Sequence, residues 1–214
     1  FCNLTEVVIK ESDTPASLVR KVFLATILGT IQSSLTNFKY IRKSWRDNAE
    51  DERLLGVSLT GIFGNKFTNG TNGNLAEILD DLRNTAIATN AMAAEKLGIK
   101  SSAAITCVKP SGTVSQLTNV SSGIHPWHSE YYIRTVRADN KDPMTMFLKD
   151  MGVPNEPDVM APDTTTVFSF PRKAPEGAVT RNYLTAIDHL EFWKVYCDHW
   201  TEHNPSVTIN VKED

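Results

Sequence analysis

The sequence predicts an α/β fold with a largely parallel sheet. Three observations carry that prediction. Short apolar runs recur around Leu4–Ile9, Leu54–Leu59 and Ala104–Val108, long stretches of helical periodicity separate them, and turn-forming residues mark the joints. Buried strands alternating with helices build layered or barrel α/β folds, and such folds gather ligands at the carboxyl ends of their strands. The composition permits a proper core, with 214 residues of which 41% are hydrophobic. With 22 basic and 25 acidic residues, a net charge of −3 and a pI near 6.0, no overall field favours nucleic acid or a membrane surface. Charged residues make up 22% and no long apolar run occurs, which argues against a transmembrane helix and against disorder. Three cysteines cannot all pair within the chain, so a reducing, cytoplasmic setting is expected. Phe1 opens the sequence without a signal-peptide pattern, and the chain is expected to be a segment of a longer protein.

In chain order, the stretch with Leu4, Val7, Val8 and Ile9 reads as a strand. Asp13-Thr14-Pro15 then places a capping residue before a proline at the first helical position. A long helix is expected to follow, with Leu18, Val22, Ala25 and Leu28 or Gly29 on one side and Leu24, Ile27, Ile31 and Leu35 beside them, broad enough to be buried. Lys39, Arg42, Lys43 and Arg46 fall at helical spacing with Tyr40 and Trp45 interleaved, but Asp47, Glu50, Asp51 and Glu52 follow within a screening length, so a solvated charged face is expected. Arg53–Gly61 reads as a short buried strand with Gly56 and Gly61 where the backbone must turn tightly or approach a neighbour. Asn69-Gly70-Thr71-Asn72-Gly73 is turn chemistry, after which Asn74, with Glu77, is expected to open a second long helix by a capping box and Gly98 to end it. Strands are expected around Ala104–Val108, Tyr131–Val136, Thr165–Phe170 and Ser206–Val211, and helices over Pro143–Met151 and Asn182–Glu202. No repeat divides the chain, which reads as a single domain over residues 1–214.

Two loops could carry chemistry. Lys109-Pro110-Ser111-Gly112-Thr113-Val114-Ser115 follows a strand and leads into a helical turn, an arrangement that offers backbone N–H groups and hydroxyl donors to a phosphate. The Walker spacing is absent, so nucleotide hydrolysis gets no support, and an ordinary capped turn of Ser, Gly and Thr is the alternative. Ser122-Gly123-Ile124-His125-Pro126-Trp127-His128 reads as a site-lining loop; its two histidines lack a partnering carboxylate in register, and no metal site is expected. Cys107 and Cys197 read as packing residues, and Cys2, at the head of a strand, reads by itself as the same.

Several separated stretches together resemble the large-subunit family of ribonucleotide reductases: Phe1–Val7, Leu28–Thr36, Leu55–Gly61, Lys109–Ser115, Ser122–Pro126 and His203–Thr208. The Pro-Ser-Gly-Thr loop, and Gly-Ile-His-Pro followed by Tyr131-Tyr132-Ile133-Arg134, look most like the adenosylcobalamin-dependent class II enzymes of the monomeric, triphosphate-reducing type. The iron-dependent class I large subunits usually carry a glutamate at the position of Gly112. A class I diphosphate reductase and a non-catalytic nucleotide-binding α/β module are the alternatives.

The resemblance implies part of a ten-stranded α/β barrel and the radical reduction of ribonucleotides to deoxyribonucleotides, with adenosylcobalamin as cofactor. It implies that Cys2 is one member of a redox pair and that Ser111, Gly112, Thr113, Val114 and Ser115 bind the substrate phosphates. Gly123, Ile124, His125 and Pro126 would line the site. The family's radical cysteine and its glutamate would lie upstream of Phe1, as would the second redox cysteine and the nucleotide effector region. The cysteines that meet a thioredoxin-type reductant would lie beyond Asp214. The chain alone is therefore expected to show no turnover.

Overall fold

The computed structural model describes residues 1–211. They divide into two compact units, one formed by Phe1–Trp127 with the described residues from Pro175 onward, the other by His128–Ala174.

The first unit is built on three parallel strands in the order β1 (Asn3–Val8), β2 (Leu55–Thr60) and β3 (Thr106–Cys107). Parallel strands need long crossovers. Here α1 (Pro15–Ser33) and α2 (Lys43–Glu52) link β1 to β2, and α3 (Leu75–Leu97) links β2 to β3. The register pairs Leu4 with Gly56, Glu6 with Ser58 and Ser58 with Cys107. Because side chains alternate across a strand, Val7, Ile9, Leu55, Val57 and Leu59 share one face. There they join Leu18, Val22 and Ala25 of α1 and Ile78, Leu79 and Leu82 of α3 in the core.

Helix α1 begins as expected, at a capping box in which the Thr14 hydroxyl accepts from Ser17 N–H and the Ser17 hydroxyl accepts from Thr14 N–H. Its buried side is narrower than its periodicity suggests. Leu18, Val22, Ala25 and Gly29 are buried, whereas Leu24, Leu28 and Ile31 stay exposed, because within the described residues the sheet and α3 cover one flank of the helix. Helix α2 buries no residue, in keeping with a solvated charged face. Helix α3 ends at Gly98 in the left-handed conformation, but at its start Asn74 makes no side-chain capping bond, so the expected box does not form.

A five-residue helix, α4 (Thr113–Leu117), follows the loop after β3. The last helix of this unit spans Ala186–His199, shorter than the periodicity predicts, because the Thr185 hydroxyl and the Asp188 carboxylate form a capping box that fixes its start. The strand expected over Ser206–Val211 is not formed. The chain from Glu202 instead runs along the outer side of β3, with Glu202 N–H donating to Thr106 O at 3.1 Å and Ser206 N–H to Val108 O at 3.3 Å.

The second unit is an antiparallel sheet in the order β4 (Tyr131–Asp139), β6 (Thr165–Lys173), β5 (Asn155–Pro157), with α5 (Pro143–Asp150) between β4 and β5. Numbered in chain order, the helix Ala186–His199 is α6. Asp142 caps α5 by accepting from Met144 N–H at 2.9 Å. Strands β4 and β6 were expected from their apolar patterns; their antiparallel pairing and the short edge strand β5 were not. No helix among the described residues is long and apolar enough to cross a membrane.

Candidate active site

The face of the parallel sheet turned away from α1 and α3 carries the candidate chemical groups. Alternation places Cys2, Leu4 and Glu6 of β1 and its approach on that face, with Gly56 and Ser58 of β2 and Cys107 of β3 beside them. Gly56 makes this arrangement possible. A Cβ built there would stand 2.4 Å from Leu4 Cδ2, 3.0 Å from Cys2 Sγ and 3.2 Å from Cys107 Sγ. The missing side chain leaves room for two sulfurs to converge over the middle strand.

Burial pushes the Cys107 thiol up to about 12, with Cys2 and Glu6 adding to the effect and the Lys109 ammonium opposing it. Burial also raises the Cys2 thiol, again opposed by Lys109. Both sulfurs therefore rest as thiols.

Glu6 sits between this thiol pair and the loop after β3. Its Oε1 accepts from the Ser58 hydroxyl at 3.0 Å. Ser58 Oγ in turn accepts the Lys109 backbone N–H at 3.0 Å. A hydrogen-bonded row thus runs from β1 through β2 to the first residue of the loop after β3. Burial raises the Glu6 carboxyl from its ordinary value, opposed by the bonded Ser58 hydroxyl and the neighbouring Ser111 hydroxyl.

The loop offers its residues unequally. Ser111 is buried, and its hydroxyl closes no hydrogen bond of ordinary geometry. Gly112 faces open space, and Thr113 and Val114 are exposed at the start of α4. The N–H groups at a helix start have no intrahelical acceptor, which turns those of Thr113 and Val114 outward. Ser115 is fully buried and its hydroxyl is committed to Ser111 O, with a second contact of 2.9 Å to Gly112 O. Its side chain therefore shapes the loop from beneath.

The stretch Gly123–Pro126 packs directly on this loop. Gly123 has φ +51°, and a Cβ there would lie 2.6 Å from the Lys109 carbonyl oxygen. Its N–H donates to Thr60 Oγ1 at 2.9 Å. Ile124 is fully buried, and its carbonyl oxygen accepts from His189 Nε2 at 2.9 Å. His125 Nδ1 donates to Ser122 O at 2.9 Å and its Nε2 accepts Thr208 N–H at 3.0 Å, the arrangement of the Nδ1–H tautomer. This histidine ties the loop to the His203–Thr208 stretch. No group of three or more metal-ligating side chains occurs among the described residues.

The structure therefore places Cys2 at the amino end of the strands, on the face that carries Glu6, Ser58 and Cys107, and the Lys109–Ser115 and Gly123–Pro126 loops together at their carboxyl end. Sequence reasoning missed Glu6, Ser58 and the placement of Cys107 on that face. The two-residue alternation from Cys2 to Glu6 was the available signal for Glu6. Nothing local in the sequence gives the cross-strand register that delivers Ser58 and Cys107.

This fold is shared with a known enzyme class. The chain superposes on a crystal structure of a B12-dependent, class II ribonucleotide reductase with a TM-score of 0.79 at 22% identity, over 97% of this chain and 32% of that one. The α/β barrel expected from the sequence is thus the right architecture, represented here in part. Curated relatives agree: the adenosylcobalamin-dependent ribonucleoside-triphosphate reductase of Lactobacillus acidophilus is 26% identical over the whole of this chain and 32% of its own length. The enzymes of the same name from Euglena gracilis and Lactobacillus leichmannii are 30% and 27% identical, over 77% and 99% of this chain and, for Euglena, 23% of the relative. The resemblance read from the motifs is borne out by these relatives. The chain spans about a third of the length of the curated relatives it matches. No family model matches it.

Proposed function

We propose that this chain forms part of the catalytic domain of an enzyme that reduces ribonucleotides, with ribonucleoside triphosphates as substrates, and so supplies deoxyribonucleotides for DNA synthesis. The observation that carries the reading is the placement of the Cys2 thiol on the same sheet face as Glu6 and the buried Ser111 at the head of the loop. A thiol beside a phosphate-sized cradle is what reduction of a phosphorylated sugar requires. In this reading the Thr113 and Val114 N–H groups, the Thr113 hydroxyl and the Ser111 hydroxyl hold the phosphates, Gly112 lets them approach the backbone, and Ser115 keeps the loop in shape. Holding the phosphates fixes the ribose against the thiols, which is the positioning contribution to catalysis. Gly123–Pro126 buttress the loop from the side.

The balance of the reaction is one ribonucleotide and two thiols giving one deoxyribonucleotide, one water and one disulfide. Cys2 is one of the two thiols: its hydrogen and electron go to the substrate as the 2′ hydroxyl leaves as water. A thioredoxin-type dithiol restores the pair, and a nucleotide effector acts through other parts of the protein. The setting proposed is the cytoplasm.

Adenosylcobalamin, named in the curated relatives, supplies the radical that starts such chemistry when bound. The thiols, hydroxyls and backbone N–H groups on the described face suit the substrate side of the reaction, and no step above runs through the cofactor.

The test is turnover by the gene product that carries this chain, assayed as deoxynucleotide formed with adenosylcobalamin and a dithiol. Cys2→Ser should abolish multiple turnover, and Thr113→Ala should raise KM for the triphosphate more than it lowers kcat. Multiple turnover by the Cys2→Ser variant, or activity indifferent to adenosylcobalamin, would overturn the reading.

A further inference from the structure

Glu6 is an acidic side chain at a place read as binding phosphate, and neither the motifs nor the proposed reaction gives it a task. Its surroundings do. The carboxyl accepts from the Ser58 hydroxyl, and Ser58 accepts the N–H of Lys109, the first residue of the loop. Ser111, two residues on, is 4% exposed and has a hydroxyl without a regular partner, next to the same carboxyl. A buried hydroxyl left unpaired is costly, so Ser111 will donate to whichever acceptor is offered. Two acceptors compete for it: the Glu6 carboxylate and a phosphate oxygen in the loop.

We infer that Glu6 is a positioning residue for the loop, which orients Ser58 under Lys109 and, by its charge, decides whether the Ser111 hydroxyl is turned inward or offered to a phosphate. The inference rests on the phosphate-binding reading of Lys109–Ser115. When the carboxyl is charged it draws the Ser111 hydroxyl to itself and repels a phosphate. When it is neutral it releases Ser111. Phosphate binding should therefore weaken as pH rises through the titration of Glu6, which burial raises.

The ionisable groups gathered with Glu6 about the same face are Cys107 from β3, which feels its charge, and Cys2 from the approach to β1 and Lys109 from the loop, which act on Cys107. Lys10, beyond the end of β1, and Lys21 of α1 line a cavity with it. Comparison with Glu6→Gln isolates the carboxyl, because the titrations of these groups and of the ligand are common to both chains and cancel in the ratio of affinities.

The first experiment is calorimetric titration with CTP at pH 5.5 and pH 8. Glu6→Gln should bind about threefold or more tightly than the unaltered chain at pH 8, and that advantage should shrink at pH 5.5. Ser58→Ala, which removes the acceptor for Lys109, should weaken binding at both. Affinities of Glu6→Gln and the unaltered chain that run parallel across pH would overturn the inference. The second experiment needs no ligand. The Lys109 amide resonance should shift with the titration of Glu6 and lose that shift in Glu6→Gln; a resonance that does not titrate overturns the inference whether or not CTP binds. Loss of CTP affinity on Thr113→Ala reports separately on the phosphate reading. If Thr113→Ala binds CTP normally, that reading fails, while the Lys109 resonance still decides the role of Glu6.

Discussion

Gly123 lies against Lys109 so closely that a Cβ at Gly123 would stand 2.6 Å from the Lys109 carbonyl oxygen, and its φ of +51° suits a residue without one. This contact joins two loops that sequence reasoning could only place near one another. Gly123→Ala meets both a steric and a conformational obstacle and should destabilise the chain by about 1–3 kcal/mol. The loop after β3 must shift to relieve it. Urea unfolding should show the loss, and CTP titration a weaker phosphate site. An unchanged unfolding midpoint would show that Lys109 yields freely.

The three cysteines should separate by reactivity. Alkylation needs a thiolate that the reagent can reach. Cys2 is exposed and Cys197 partly so, whereas Cys107 is 1% exposed with its thiol pushed up to about 12. Iodoacetamide at pH 8, followed by peptide mass spectrometry, should modify Cys2 first and leave Cys107 intact until urea is added. Equal labelling of Cys2 and Cys107 in the folded chain would contradict the packing of Cys107 beneath Gly56.

His189 should make stability depend on pH. Burial lowers its pKa, partly offset by its bond to Ile124 O and reinforced by nearby His125. With a folded value below the unfolded one near 6.5, the ring stays neutral in the fold while the unfolded chain takes up a proton. The stabilisation is complete above about pH 6.5 and declines as pH falls below it, by at most about 1.4 kcal/mol per unit, until the folded ring also titrates. His189→Asn should flatten that part of the curve. A slope between pH 6.5 and 5.5 identical in both chains would count against this assignment.

Asn65 should be among the costlier polar residues to remove. It is 1% exposed, its Nδ2 donates to Lys10 O at 2.8 Å and Asp13 O at 2.9 Å, and its Oδ1 accepts Phe67 N–H at 2.8 Å. These bonds hold the turn between β1 and α1. Asn65→Ala strands buried backbone groups and should cost about 2–4 kcal/mol in urea unfolding, with Asn65→Asp intermediate because it keeps the acceptor.

Local sequence determined what local physics controls. The Thr14-Pro15 start of α1, the Gly98 stop of α3, the β1 and β2 strands and the solvated face of α2 follow from capping, backbone freedom and periodicity within a few residues. The order of motifs from Phe1–Val7 to His203–Thr208 likewise carried the family resemblance and the loop at Ser111–Ser115. Tertiary structure alone decided which side of α1 is buried, that the chain after Glu202 runs beside β3 without forming a strand, and that His128–Ala174 folds as its own antiparallel unit. It also decided that Glu6, Ser58 and Lys109 form one row, and that Cys107, by sequence a packing residue, shares Gly56 with Cys2. The reason is register: neighbours across parallel strands lie about fifty residues apart in this chain, and no local pattern fixes which residues meet at that distance.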